Sequence, residues 1–141
     1  MFSFDTHIRV RYADTDQMHV VYHGKFIEYF ESGRTEAIRS IGITYKEIEQ
    51  WGIIMPVVRV QCDYLRPAKY DDLLTVRTIL HQLPNNHRIE FDQEIYNEEE
   101  KLLCKGKILL YFLERKTHAK VDMPVPLATK LHPFFTVNES K

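Results

Sequence analysis

The stretch Gly24-Lys25-Phe26-Ile27-Glu28-Tyr29-Phe30-Glu31-Ser32-Gly33-Arg34-Thr35-Glu36-Ala37-Ile38-Arg39-Ser40-Ile41-Gly42 decides the architecture. Phe26, Phe30, Gly33, Ala37 and Ile41 recur at helical spacing, Ile27 and Ile38 widen the stripe, and Lys25, Glu28, Glu31 and Arg39 take the far side. The pattern predicts one long amphipathic helix that stops at Gly42. Gly33 lies on its apolar face, where glycine costs about 1 kcal/mol of helix propensity relative to alanine. Its presence there predicts close approach of another backbone.

On the N-terminal side, residues 6–12 alternate, with Ile8, Val10 and Tyr12 set against His7, Arg9 and Arg11, as in a strand with one buried face. Ala13-Asp14-Thr15-Asp16-Gln17 then interrupts it with turn-forming side chains. On the C-terminal side a short helix is expected at 44–51, and the chain then turns to β: 54–64, 73–81, 87–96 and 102–113 read as strands. Leu83-Pro84-Asn85-Asn86 and Asn97-Glu98-Glu99-Glu100-Lys101 are hairpin connections, so the last three strands are antiparallel neighbours. A strand, a long helix and four strands make an α+β fold, an antiparallel five-stranded sheet with one helix on a face. Strand 102–113 also carries Leu103, Leu109, Tyr111 and Leu113 on the side away from Cys104, Ile108, Leu110 and Phe112. A second copy of the chain is the expected cover for that side.

The whole chain, 141 residues with 19 basic and 20 acidic side chains, reads as a single domain without repeats, linkers or low-complexity tracts. Its net charge of -1 and pI of about 6.7 argue against general nucleic-acid binding. No apolar run is long enough for a membrane span and the N-terminus lacks a leader pattern, so a cytoplasmic location is expected. Cys62 and Cys104 fall in buried-strand segments and read as small packing residues. Residues 116–141, with Pro124, Pro126 and Pro133, read as a C-terminal tail crossing the surface, with a short helix around 127–132.

Chemistry concentrates between the first strand and the long helix, in Arg11-Tyr12-Ala13-Asp14-Thr15-Asp16-Gln17-Met18-His19-Val20-Val21-Tyr22-His23-Gly24. A helix start presents free backbone N–H groups and a positive dipole end, which can polarise a carbonyl oxygen. A carboxylate at the same spot is favoured in its ionised form, ready as nucleophile or as general base. Asp-x-Asp in a turn is, however, most often local hydrogen-bonding chemistry. His19 and His23 at i, i+4 allow a metal reading only if residues 19–23 are helical, which Val20-Val21 and the adjacent helix start oppose.

Tyr12-Ala13-Asp14-Thr15-Asp16, followed by Val20-Val21-Tyr22-His23-Gly24-Lys25-Phe26 and Tyr29-Phe30-Glu31, closely resembles the 4-hydroxybenzoyl-CoA thioesterase family of the hotdog-fold superfamily. The nearest branch is that of acyl-CoA thioesterases that includes the Tol-Pal-associated enzymes. Val60-Gln61-Cys62-Asp63-Tyr64-Leu65-Arg66-Pro67-Ala68-Lys69-Tyr70-Asp71-Asp72 resembles the strand and turn that follow the helix in that family, and the likeness covers residues 5–115. The resemblance implies a hotdog fold, with the sheet wrapped around the helix and pairs of chains joined edge to edge as a homodimer or homotetramer. It implies an acyl-CoA substrate, and thioester hydrolysis requires no cofactor and no metal because a thiolate leaves readily.

The family's catalytic carboxylate falls on Asp16, acting as nucleophile or as general base. The carbonyl-polarising N–H falls on or next to His23, and Tyr22 and His23 match the pair that lines the thioester pocket. His19 departs from the family, whose members commonly carry Gly or another small residue there, which implies a difference in acyl-pocket shape or access. Tyr70 and Asp71-Asp72 read as a structural turn. Arg66, Lys69, Arg88 and Lys116 are candidates for the CoA phosphates. The rival reading is a protein of the same fold that holds an acyl-CoA or acyl chain without cleaving it. A hotdog dehydratase fits less well, since its His-plus-acid context is not found here. The acyl group itself is not legible in the sequence.

Overall fold

A computed structural model describes residues 1–135. Its elements are β1 (Phe2–Arg9), α1 (His23–Ser40), α2 (Tyr45–Gln50), β2 (Ile53–Ile54), β3 (Val57–Tyr64), β4 (Leu73–Leu80), β5 (Arg88–Tyr96), β6 (Leu102–Tyr111), β7 (Leu113–Glu114) and α3 (Val125–Leu131). β1, β4, β5, β6 and β3 form one antiparallel five-stranded sheet in that spatial order, and β2 and β7 form a small second sheet. The α+β architecture expected from the sequence is present, with α1 packed against the inner face of the large sheet.

Alternation sets the register. Leu74, Val76, Thr78 and Leu80 of β4 face inward, as do Ile89, Phe91, Gln93 and Ile95 of β5, and all eight are buried. Gln93 tolerates the core because its carboxamide is fully engaged. Nε2 donates to Phe30 O at 2.9 Å and to Thr78 Oγ1 at 2.8 Å, and Oε1 accepts from Arg34 Nη1 at 3.0 Å. This network ties α1 to two strands. Gly33 makes it possible: a Cβ there would lie 2.7 Å from Val76 Cγ1, 2.9 Å from Thr78 Oγ1 and 3.0 Å from Gln93 Nε2. The close approach predicted at this glycine is therefore real.

Three expectations change. β1 starts four residues earlier than expected, because the alternation runs back through Phe4 and Phe2, and it ends at Arg9. Tyr12, expected on a buried face, begins a 3-10 turn (Tyr12–Asp14) and is 71% exposed, with its ring edge-on to Tyr70 at 5.8 Å. The tail is not confined to the surface. α3 begins two residues before the expected helix, and Leu127 and Leu131 are fully buried in the core. Phe134 packs edge-on against Phe2 at 4.9 Å. Residues 136–141 of the expected tail lie outside the described residues.

The outer face of the sheet is also not the apolar surface expected to need a cover. Leu103 and Leu109 are buried within the chain itself. Leu103 O accepts from Leu65 and Arg66 N–H, while Leu109 shares a surface depression with Leu83 and Pro84 of the 83–86 turn. The rest of the face is charged: Asp92 pairs with His81 at 3.0 Å and with Lys107 at 3.7 Å, and Asp5 with Arg77 at 2.9 Å. The unpartnered apolar feature is instead an edge. β3 carries Val57, Val58, Val60 and Tyr64 at 39–45% and 47% exposure and borders only β6.

Candidate active site

The loop into α1 is a tight turn built by Asp16. Its N–H donates to Val20 O at 2.9 Å, His19 N–H donates to its carbonyl at 3.0 Å, and Thr15 and Val21 pair as an antiparallel bridge. Asp16 Oδ1 accepts from Met18 N–H at 2.8 Å, as turn-forming aspartates do. His19 closes the turn with φ of 65°, a left-handed conformation that glycine adopts most readily. The departure at position 19 thus bears on turn strain. His19 also lies outside α1, which begins at His23, so the two imidazoles do not share a helix face.

The turn is stitched to the second matched stretch, since Val21 N–H donates to Ala68 O at 2.8 Å and Val20 bridges Lys69. Asp72 Oδ2 accepts from Lys69 N–H at 2.9 Å, and Asp71 N–H donates to Val10 O at 3.0 Å, so Asp71-Asp72 acts as the turn the sequence suggests. Of the four cations, Arg66 and Lys69 share one surface depression beside this turn. Arg88 and Lys116 lie in two other depressions. Arg66 is held by its Nη1 on Leu102 O at 2.8 Å.

The two aspartates are divided by burial. Asp14 is 3% exposed, accepts from Arg11 N–H at 3.1 Å and from Tyr29 Oη–H at 2.8 Å, and lies 3.6 Å from Lys25 Nζ. Burial alone would raise its pKa, but the hydrogen bonds from the Arg11 backbone, Tyr29 and the Arg11 guanidinium outweigh it and hold the carboxyl below its usual value. Burial, with Asp14 as acceptor, pushes the Tyr29 hydroxyl up. Asp14 therefore braces the loop against α1. Asp14→Asn should lower stability by about 2 kcal/mol at neutral pH, because it turns an amide donor toward the donors of Arg11 or Tyr29. A carboxylate with a depressed folded pKa stabilises above its unfolded value of about 4 and loses that contribution as pH falls through the folded value. Thermal melts should show the gap between wild type and Asp14→Asn shrinking below pH 4. A gap of constant size down to pH 2 would count against this role.

Asp16 is exposed and its carboxylate is one bond from free. Tyr22 caps α1 with an extended backbone and no side-chain bond, and Tyr22 N–H donates to Asp14 O at 3.0 Å. Among the described residues, the N–H groups of His23 and Gly24 have no acceptor, as expected in a first helical turn. Gly24 lets the Tyr22 ring lie against that turn, since a Cβ there would come within 2.7 Å of Tyr22 Cε2. The Tyr22 and His23 rings are 4.3 Å apart. No hydrogen bond or ion pair joins the Asp16 carboxylate to either ring; the structure brings Tyr22 and His23 together and connects Asp16 to them through the Val20-Val21 backbone.

Tyr64 and Tyr29 are further residues of this region that sequence reasoning passed over, although both lie in the matched stretches. Tyr64, at the end of β3, sits 6.0 Å from the His23 ring and 5.7 Å from Phe26. Its hydroxyl is pushed up to about 12 by burial and by the neighbouring Cys62 thiol. Cys62 Sγ lies 3.5 Å from Cys104 Sγ on β6.

The turn that carries the exposed Asp16 thus leads into a helix start with two free N–H groups, bordered by the rings of Tyr22, His23 and Tyr64. The thioesterase-like superfamily profile matches residues 10–131 of this chain. The chain belongs to the thioesterase-like superfamily. The match takes in all of α3, beyond the 5–115 span of the sequence likeness. Among relatives of this superfamily, the Haemophilus influenzae acyl-CoA thioesterase YbgC is 37% identical over 132 residues, covering 93% of this chain and 94% of that protein. The solved structure of a DHNA-CoA thioesterase from Staphylococcus aureus matches with a TM-score of 0.88 and 29% identity, over 100% of this chain and 97% of that one. 4-Hydroxybenzoyl CoA thioesterase, solved with 4-hydroxybenzoyl CoA, shares the fold at a TM-score of 0.82 with 14% identity, covering 92% of this chain and 99% of that one. The finer family resemblance drawn from the sequence thus reduces to the superfamily and to acyl-CoA thioesterase relatives. With this membership the protein is an enzyme of the thioester-hydrolase class. No helix among the described residues is long and apolar enough to cross a membrane.

Proposed function

We propose that this protein hydrolyses acyl-CoA thioesters to the free acid and CoA. The observation that carries the reading is the exposed Asp16 carboxylate in a turn that leads, within eight residues, to the unsatisfied N–H groups of His23 and Gly24. The thioester carbonyl rests against those N–H groups, which stabilise the negative charge developing on its oxygen. Tyr22 and His23 border the thioester. Two routes use the same carboxylate. As nucleophile, Asp16 bonds to the carbonyl carbon, expels CoA thiolate, and leaves a mixed anhydride that water cleaves. As general base, it takes a proton from water, whose oxygen attacks directly while the thiolate leaves. The Oδ1 bond to Met18 N–H anchors one oxygen and leaves the other for either task. Arg66 and Lys69, which share a depression beside the loop with Asp72, Glu98 and Glu99, are the cations that meet CoA phosphates in this reading.

Purified protein incubated with acyl-CoAs of several chain lengths should release free thiol. Tight binding of acyl-CoA without release would instead establish the non-catalytic alternative.

The working form in this proposal is a pair of chains joined along β3. An eight-residue edge strand with Val57, Val58, Val60 and Tyr64 exposed invites pairing with another chain, and an identical strand running antiparallel satisfies its N–H and C=O groups by symmetry. Val58→Glu with Val60→Glu should convert a dimer to monomer at micromolar concentration in light scattering, by setting like charges across the two-fold axis. A wild-type protein that is strictly monomeric and fully active would overturn the pairing.

A further inference from the structure

A second cavity, of about 370 Å³, lies between the C-terminal half of α1, α2 and the start of β3; its lining includes Glu31, Arg34, Tyr45, Ile48, Met55 and Val57. Its lining includes a largely buried cation. Arg34 is 6% exposed and donates from Nη1 to Gln93 Oε1 at 3.0 Å, and among the described residues no ion pair within 4.0 Å engages its guanidinium. Burial lowers the Arg34 pKa, with Tyr45 and Glu31 acting to raise it. A guanidinium offers five donors, of which Gln93 takes one, so others remain to meet an acceptor in the cavity. Beside it, the buried hydroxyl of Tyr45 has no hydrogen-bond partner. The remaining carboxylates of the cavity, Glu31 and Glu49, are exposed and screened by solvent.

We infer that this cavity receives the far end of the acyl group and selects an acyl group that ends in a carboxylate, recognised by Arg34 and Tyr45. The inference rests on the thioesterase reading and on the β3 pairing. Along a single chain, Arg34 stands eleven residues from His23, about 16 Å of helix. Across the pair the distance closes. Val57 at the start of β3 lines the cavity, and Tyr64 at its end touches His23. Antiparallel pairing of β3 with its copy sets start against end, which brings this cavity beside the partner subunit's His23. The thioester then lies at one subunit's helix start while the acyl terminus lies over the other subunit's Arg34. Hydrolysis consumes one water and yields a dicarboxylate and CoA thiol.

The test compares kcat/KM for an ω-carboxyacyl-CoA and for the unbranched alkanoyl-CoA of equal length. Wild type should prefer the carboxyacyl substrate by roughly tenfold or more, the worth of a charge-assisted hydrogen bond. Arg34→Met should abolish the preference while leaving alkanoyl turnover measurable. Tyr45→Phe, which removes the hydroxyl beside Arg34 and keeps the buried ring, should reduce it by severalfold. Equal or better turnover of the alkanoyl substrate by wild type, or a preference unchanged in Tyr45→Phe and Arg34→Met, would overturn the assignment and leave the thioesterase reading standing. Absence of thiol release from every acyl-CoA would overturn both.

Discussion

Asp16→Asn should reduce kcat by about 10²-fold or more on a good acyl-CoA while leaving the melting temperature unchanged. The turn explains why the two effects separate. Asp16 Oδ1 accepts from Met18 N–H at 2.8 Å, and an asparagine carbonyl makes the same bond in the same place. The backbone links from Asp16 to Val20 and His19 involve no side chain. An amide, however, neither accepts a proton from water at neutral pH nor forms an anhydride, so both routes to hydrolysis close. KM should change little, because the carboxylate acts on the reacting centre and not on CoA. Steady-state kinetics with free-thiol detection, beside a thermal melt, checks both halves; near-normal turnover would remove Asp16 from the mechanism. Asp14→Asn should do the reverse, costing stability through a buried network.

Gly33→Val should lower stability by about 3 kcal/mol and the melting temperature by roughly 10 °C. A new Cβ would sit 2.7 Å from Val76 Cγ1, 2.9 Å from Thr78 Oγ1 and 3.0 Å from Gln93 Nε2. All three belong to fully buried side chains on strands, with no free space to move into. The helix must therefore lift from the sheet, which stretches the Gln93 bonds to Phe30 O and Arg34. The gain in helix propensity on leaving glycine, under 1 kcal/mol, recovers only part of this. Gly33→Ala should show the same sign with a smaller shift. Chemical denaturation with coincident fluorescence and circular dichroism transitions measures both, and a melting temperature at or above wild type for Gly33→Val would refute the close approach.

Much of this was readable from residue order. The helical spacing of Phe26, Phe30, Gly33 and Ala37 placed α1 to within a residue at each end. Leu74, Val76 and Leu80, and Ile89, Phe91, Gln93 and Ile95, alternate in the sequence with period two, and they form the inward faces of β4 and β5. Alternation failed on β6, where adjacent residues Leu103 and Cys104 are both buried, as are Ile108, Leu109 and Leu110. Loops cover the outer side there, and loop paths leave no periodic trace. The tail was misread for a related reason: Leu127 and Leu131 at i, i+4 make a single buried turn, too short a pattern to distinguish from a surface segment.

The candidate site divides in the same way. Tyr22, His23 and the Asp-x-Asp turn are local, within eleven residues of one another, and local chemistry is written in sequence. By itself the sequence determined the main elements, the inward faces of β4 and β5, the superfamily likeness and a candidate carboxylate shortly before a helix start, because propensity, alternation and turn chemistry act between near neighbours. Only the tertiary structure decided which aspartate is buried, since Tyr29, fifteen residues on from Asp14, bonds Asp14 and not Asp16. It likewise decided that Tyr64 borders His23, that β3 is an edge strand, and that Arg34 and Tyr45 line one cavity. Those facts depend on contacts between residues far apart in the chain, which burial and strand order create and which no local pattern encodes.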